Sequence, residues 1–193
     1  ASTVFMLIGN IAGVLPTIAS RCAILRLGFS SAQEIEPLLR SHGATPSAAK
    51  LYAAAGGGSR TRSFRLEEDE AFRALRLDSF ATLTALLRGA LPLSASKKLC
   101  ANRNAADALS FMLSFLRDML LLRARYSAAL ENPDQRDAIA ALAARFTIGR
   151  ITCMIEMLSK AMNELYAPGA SLLTDLAVMD KLFLELSEAI SNQ

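Results

Sequence analysis

IGRITCMIEMLSKAMNEL and LLTDLAVMDKLFLELSEAI, residues 148–165 and 172–190, decide the fold. In the first, Ile148, Ile151, Ile155, Leu158, Met162 and Leu165 recur at steps of three and four. In the second, Leu172, Leu176, Met179, Phe183, Leu186 and Ile190 do the same. Such spacing lays an apolar stripe along one face of an α-helix, ready to pack on other helices. Ala167-Pro168-Gly169 between them is a turn that lets the two helices fold back antiparallel. An intramolecular bundle and a subunit interface both use stripes of this kind.

Three further helices precede this pair: Ser79 to Arg88, closed by Gly89; Ala105 to Ala128, apolar on most sides; and Asp134 to Phe146, starting after Pro133. Shorter ones come before them. Ser31-Ala32-Gln33-Glu34 has the capping-box spacing, Ile35, Leu38 and Leu39 follow on one face, and Gly43 stands where a C-cap is wanted. Thr45-Pro46 opens a second helix that runs through Leu51 to Ala55 and stops at Gly56-Gly57-Gly58, and a third begins near Ser59. The acidic run Glu67 to Glu70, beside Arg60, Arg62 and Arg65, is a solvated face with ionic contacts between helices.

Composition agrees with a mainly α fold. Of 193 residues 52% are hydrophobic, drawn from Ala, Leu, Ile and Met with no Trp, a choice that favours helices over strands. A net charge of +3 is too small to imply a nucleic-acid or membrane partner by itself. Lys97, Lys98 and Arg103 form a modest basic patch without interleaved aromatics, as in a solvated loop. The three cysteines, Cys22, Cys100 and Cys153, are far apart and lack C-x-x-C spacing, so a reducing cytoplasm fits better than a disulfide or zinc framework. Thr3 to Ala19 carries no charge, but it has no basic n-region and Gly9, Asn10, Gly13 and Pro16 interrupt it. Its first part, Thr3 to Ile8, is expected to be a buried strand, followed by a loop, a short helix over Leu15 to Cys22 and an extended Ala23 to Leu27. No second strand is convincing, so the sheet is expected upstream of the fragment.

Autonomous chemistry is not indicated. No G-x-x-x-x-G-K-[ST] cradles phosphates, and no paired aspartates follow a strand to hold magnesium. His42 sits just before Gly43 at a helix end, where a partly exposed polar residue is routine. Cys22 and Cys153 fall in apolar patterns as small core residues, and no nucleophilic triad can be assembled.

One segment stands apart. Leu15-Pro16-Thr17-Ile18-Ala19-Ser20-Arg21-Cys22, after the apolar Val4 to Ile8 and before Ile24 and Leu25, resembles the Ser-Arg-Cys segment of AAA+ clamp-loader subunits of bacterial DNA polymerase III. The Leu-Pro-Thr-Ile lead-in is most similar to the delta-prime type. The resemblance implies that Arg21 is an arginine finger, catalytic in trans at a neighbour's ATP site, with Ser20 and Cys22 in support. A planar, permanently charged guanidinium suits the dispersed charge of phosphoryl transfer. A bare anchoring role for Arg21, through a carboxylate at a helix end, is the alternative.

The resemblance covers nearly the whole chain. It implies the end of an AAA+ α/β domain over residues 1–28, a small helical lid over 29–75 and a helical collar for oligomerisation over 76–193. Gly57-Gly58-Ser59 with Arg62 resembles the lid stretch that carries the sensor-2 arginine, with Thr61 where a glycine is common. Without a phosphate-binding loop, Arg62 is expected to be a structural or interface residue. Phe115-Leu116-Arg117-Asp118-Met119-Leu120 resembles a stretch of the long collar helix, with Arg117 and Asp118 as a surface charge pair, and Asn10 is the one polar candidate for sensor 1.

The implied role is that of a comparatively rigid, non-catalytic component of the DNA-directed DNA polymerase holoenzyme, a nucleotidyltransferase complex. It would assemble through the collar with gamma/tau and delta subunits and help place the sliding clamp on primed DNA during replication. No cofactor would be held here, ATP-Mg being bound by neighbours, and no membrane would be involved. Two alternatives stand beside it: a gamma/tau ATPase subunit, which an upstream P-loop lysine would reveal, and a helical interaction or regulatory protein unrelated to ATP.

Overall fold

The computed structural model describes residues 4–8, 14–25, 28–90, 93–101, 104–126, 130–166 and 171–191, and among these the main regular elements are ten α-helices and a 3-10 turn over Pro133–Gln135. Thr3, Gly9, Asn10, Gly13, Leu27, Arg103, Ala128, Ala167 to Gly169 and the side chain of Leu172 lie outside the described residues. The mainly α class expected from the stripes and composition is the class observed.

The expected strand is not formed over Val4 to Ile8, which has no regular structure and is 67–91% exposed. A strand satisfies its backbone groups only through a ladder partner, and none of the described residues supplies one. The following helix, α1 (Pro16–Ala19), is a single turn with proline in its first turn and no buried residue. It ends before Cys22, which is exposed rather than in a core.

Three capped helices form the small module. Helix α2 (Ala32–His42) opens on the Ser31–Glu34 capping box, in which the Glu34 N–H donates to Ser31 Oγ and the Ser31 N–H to Glu34 Oε2 at 2.7 Å, and closes on Gly43 at φ 118°. Thr45 caps α3 (Pro46–Ala55) and Ser59 caps α4 (Arg60–Glu68). Ile35, Leu39, Ala49 and Ala53 are the module's own small core. Gly58, at φ 84°, brings the chain so close to Phe29 that a Cβ there would stand 2.8 Å from the Phe29 Cβ.

Six helices make the large bundle, where the sequence predicts five. Helix α5 (Glu70–Leu87) begins nine residues before Ser79, with Asp69 accepting the Phe72 N–H at 3.1 Å as N-cap. It runs unbroken past residues 75 and 76, where the sequence divides lid from collar. Its first half is hard to recognise because Arg76, only 5% exposed, occupies a position on the inner face. Helix α6 (Leu93–Cys100) is the unpredicted one, so Lys97 and Lys98 sit on a helix, not in a loop. Lys98 reaches Asp78 at 2.7 Å, while Leu99 and Cys100 are buried against the core.

Helix α7 (Ala105–Arg123) is the axis of the bundle: it touches α5, α6, α8, α9 and α10, which explains an apolar surface on most sides. After a 3-10 turn (Pro133–Gln135) comes α8 (Arg136–Ala143), shorter than the predicted Asp134 to Phe146. Helices α9 (Ile148–Leu165) and α10 (Leu172–Ser191) pack on each other as the stripes require. Leu158, Met179, Phe183 and Leu186 are fully buried, but Ile148, the first residue of its helix, is 50% exposed. Cys153 also lies exposed on α9, contrary to the expectation of a core position, because it falls one residue off the stripe's buried face at Met154.

Candidate functional site

Arg21 stands in the turn that follows α1. Its N–H donates to the Ile18 carbonyl at 3.0 Å, the Cys22 N–H to Ala19 at 3.2 Å, and Ser20 Oγ to the Thr17 carbonyl at 3.2 Å. The three residues are exposed. Local hydrogen bonds thus fix the turn, and among the described residues no carboxylate pairs with the Arg21 guanidinium. The helix-end anchoring alternative lacks its partner there.

Arg62 meets the bundle instead of solvent. Its Nη1 donates to Ser110 Oγ on α7, and its guanidinium carbon lies 4.0 Å from the centre of the Phe111 ring. Burial pulls its pKa down, with Asp107 and Glu131 acting the other way, and its Nε and Nη2 are buried without a hydrogen-bond partner. One turn on, Arg65 Nη1 donates to Asp107 Oδ2 at 2.7 Å and the guanidinium stacks 3.9 Å over Phe72. From α5, Arg73 Nη1 donates to the carbonyls of Leu66 and Glu67, at 3.0 and 2.7 Å, which closes the last turn of α4. The Arg-rich face of α4 is therefore a docking face, only partly the solvated one expected.

A buried polar cluster lies beside it. Asp118 does pair with Arg117, at 3.5 Å from Nη1, but it is 0% exposed, so the pair joins an exposed guanidinium to a buried carboxylate and is not confined to the surface as expected. Its carboxylate accepts the N–H groups of Glu131 at 3.1 Å and Asn132 at 2.7 Å, and Asn132 Nδ2 at 3.0 Å. Asn132, 1% exposed, gives its other Nδ2 hydrogen to Ser114 Oγ and accepts at Oδ1 from Arg76 Nε and Nη2. Arg76 also grips Asp134 with two bonds, of 2.6 and 2.9 Å. Burial pushes the carboxyls of Asp118 and Glu131 up. Burial acts upward on Asp134 too, but the Arg76 hydrogen bonds and charge hold it below the usual aspartate range. Every strong acceptor here meets a protein donor, so the cluster ties α5 and α7 to the connection before α8; it is not an acid–base pair awaiting substrate. Nothing in the sequence's periodicity marks it, since the partners are 13 to 58 residues apart.

The other ionisable groups are structural. His42 Nδ1 lies 2.9 Å from Glu67 and Nε2 3.5 Å from Glu68, tying the end of α2 to the end of α4. These are the one set of three whose ligand atoms cluster within 4.8 Å among the described residues. Each ring nitrogen thus faces a different carboxylate, so the imidazole bridges the two helix ends. The Cys100 thiol is pushed up to about 11, by burial first and then by Asp175 and Asp180, and stays protonated at neutral pH. No single helix among the described residues is long and apolar enough to cross a membrane.

Residues 70–179 match the family model described as DNA polymerase III, delta subunit, C terminal. The match begins at the first residue of α5 and ends within α10, so it takes in the large bundle up to Met179 and more than half of the chain. No curated protein matches the chain. The chain belongs to the family of C-terminal domains of the DNA polymerase III delta subunit, and its large bundle is that domain of a clamp-loader protein, built to assemble with other subunits of the polymerase complex.

Proposed function

We propose that this chain acts in a clamp loader as a subunit of the delta-prime type. The large bundle is its collar, α2 to α4 its lid, and Arg21 its arginine finger for the ATP site of a neighbouring subunit. The observation that carries this reading is the segment Leu15 to Cys22, which presents Arg21 on an exposed turn with no carboxylate of the described residues to neutralise it. ATP-Mg is then held by the gamma/tau neighbours, the cytoplasm is the setting, and the sliding clamp and primed DNA are reached through the complex.

The test is single-turnover hydrolysis by a loader whose other ATP sites are disabled, with assembly followed by sizing. Arg21→Ala in the full-length subunit should leave the complex intact and slow hydrolysis at the neighbouring site by about 10³, the low end for arginine fingers. Arg21→Lys should rescue poorly, because an ammonium lacks the planar fork. Wild-type hydrolysis from an intact Arg21→Ala complex would remove the finger from the reading.

The matched family is described by the delta subunit, and that favours a second reading in which the chain is delta itself. Loaders reconstituted without delta, or without delta-prime, separate the two. The chain's full-length parent should complete only the complex that lacks its own type.

A further inference from the structure

His42 closes α2, and Glu67 and Glu68 close α4, so one imidazole and two carboxylates meet where two helices of the small module end. Their ligand atoms lie within 4.8 Å of one another. The two sides of the imidazole are not equivalent. Nδ1 stands 2.9 Å from Glu67 Oε2, the length of an N–H···O hydrogen bond, and an ionised carboxylate can only accept, so Nδ1 carries the hydrogen. Nε2 stands 3.5 Å from Glu68 Oε1, beyond the usual range for such a bond. In the neutral ring that nitrogen offers a lone pair, and so does the oxygen it faces.

Two lone pairs facing each other at that spacing call for a cation between them. In a tetrahedral zinc site with bonds of about 2.0–2.2 Å, neighbouring ligand atoms stand about 3.4 Å apart, close to the separation here. Glu67 is then the carboxylate on the other ring nitrogen, which fixes the tautomer and makes Nε2 a better donor, as at zinc-ligating histidines generally. Exposure divides the two glutamates in the same way: Glu67 is 18% exposed and Glu68 58%, which leaves room for water beside Glu68. The Phe64 ring stands perpendicular to the imidazole, with centroids 5.3 Å apart, and holds its plane. Charge agrees as well. Two carboxylates and a neutral ring match a divalent ion, and no lysine or arginine pairs with either glutamate side chain among the described residues. Arg73 bonds the Glu67 backbone carbonyl and leaves the carboxylate to the imidazole.

We propose that His42 Nε2 and Glu68 bind a divalent transition-metal ion of the zinc type, with Glu67 as the positioning carboxylate and water in the remaining places. An imidazole among carboxylates favours zinc over magnesium or calcium, which prefer oxygen alone. The ion cross-links the ends of α2 and α4 and steadies a module whose own core is small. It takes no part in the ATP chemistry of the proposed function.

Zinc chloride is titrated calorimetrically, at neutral pH, into the chain carrying Cys22→Ser and Cys153→Ser, which removes the two exposed thiols that compete for zinc. One zinc ion per chain is expected, undisturbed by excess magnesium. His42→Ala and Glu68→Ala should abolish this binding, and Glu67→Ala should weaken it about 10- to 100-fold. Nitrogen NMR of the imidazole needs no substitution at a ligand, because His42 is the only histidine in the chain. Zinc should shift Nε2 and leave Nδ1 protonated. No saturable binding, a stoichiometric site that survives His42→Ala or Glu68→Ala, or an imidazole spectrum that zinc does not move overturns the site. Zinc on Nδ1, or unchanged affinity in Glu67→Ala, overturns the arrangement proposed for it.

Discussion

The pair α9–α10 and the joint between the small module and the large bundle are held in different ways. The first is an apolar seam: Leu158, Leu182, Phe183 and Leu186 are buried, and the ion pair from Lys181 to Glu164, at 3.1 Å, lies at the surface. The second adds directed polar contacts to burial: Ala55 and Leu66 of the small module sink into the bundle's core, while Arg62, Arg65 and Arg73 each reach a named atom across the joint, with the Arg76–Asn132–Asp118 cluster beside it. An apolar seam is strong and forgiving of small displacements, because burial has no direction. A polar joint fixes angles, and its strength depends on every partner being present. The fold thus uses bulk burial where mass must be held and directed bonds where orientation must be held.

The seam should fail hardest under a buried charge. Leu158→Asp places a carboxylate at a fully buried position among apolar neighbours and should cost about 4 kcal/mol or more, measured by urea unfolding, with loss of association with the other loader subunits. If stability and association survive, both the core position and the role of this surface in assembly are wrong.

The joint should be broken by subtraction. Asp118→Ala strands the N–H groups of Glu131 and Asn132 and one Asn132 Nδ2 hydrogen, and should cost about 3 kcal/mol. Exchange mapping should show the loss spreading from the connection before α8 into α3 and α4. A loss confined to α9 and α10 would mean that the cluster does not govern the joint.

The smallest effect is one of pH. Arg76 lowers the Asp134 carboxyl in the folded state, so the folded protein binds that proton less tightly than the unfolded chain does. The stability from this pair is complete above the ordinary aspartate range, about pH 4, and is lost as pH falls toward the lowered value. Asp134→Asn should flatten that acid-side fall in unfolding midpoint. Asp118 and Glu131, raised by burial, act oppositely, their contribution declining as pH rises through their folded values. An unchanged acid slope in Asp134→Asn would show that the Arg76 grip contributes nothing to folding.

What could be read from the sequence follows the same division. The seam was legible because apolar spacing is a local property, and the caps at Ser31, Thr45 and Ser59 were legible because each acts within three residues of itself. Helix α6 escaped notice since its two lysines outweigh its short buried face of Leu99 and Cys100. The first half of α5 escaped because a buried arginine interrupts its apolar pattern. Asp118 and Asn132 look like surface residues until the fold supplies partners far along the chain. At the proposed site, Arg21 is legible as a motif because the turn that presents it is made by bonds three residues long. The expected strand Val4 to Ile8 is different again, since pairing needs groups that no described residue offers.

Asp69 ends α4 and begins α5, leaving no spacer between them. An α-helix advances about 100° per residue, so one residue added or removed there would rotate the face of α4 relative to α5 by that angle. Arg62 and Arg65 would then point away from Ser110 and Asp107, and Arg73 would miss the α4 carbonyls. Loop length is usually the cheapest thing for a protein to change. At this link it is as constrained as the identity of a core side chain, and a library of single-residue insertions should find it among the least tolerant surface positions in the chain.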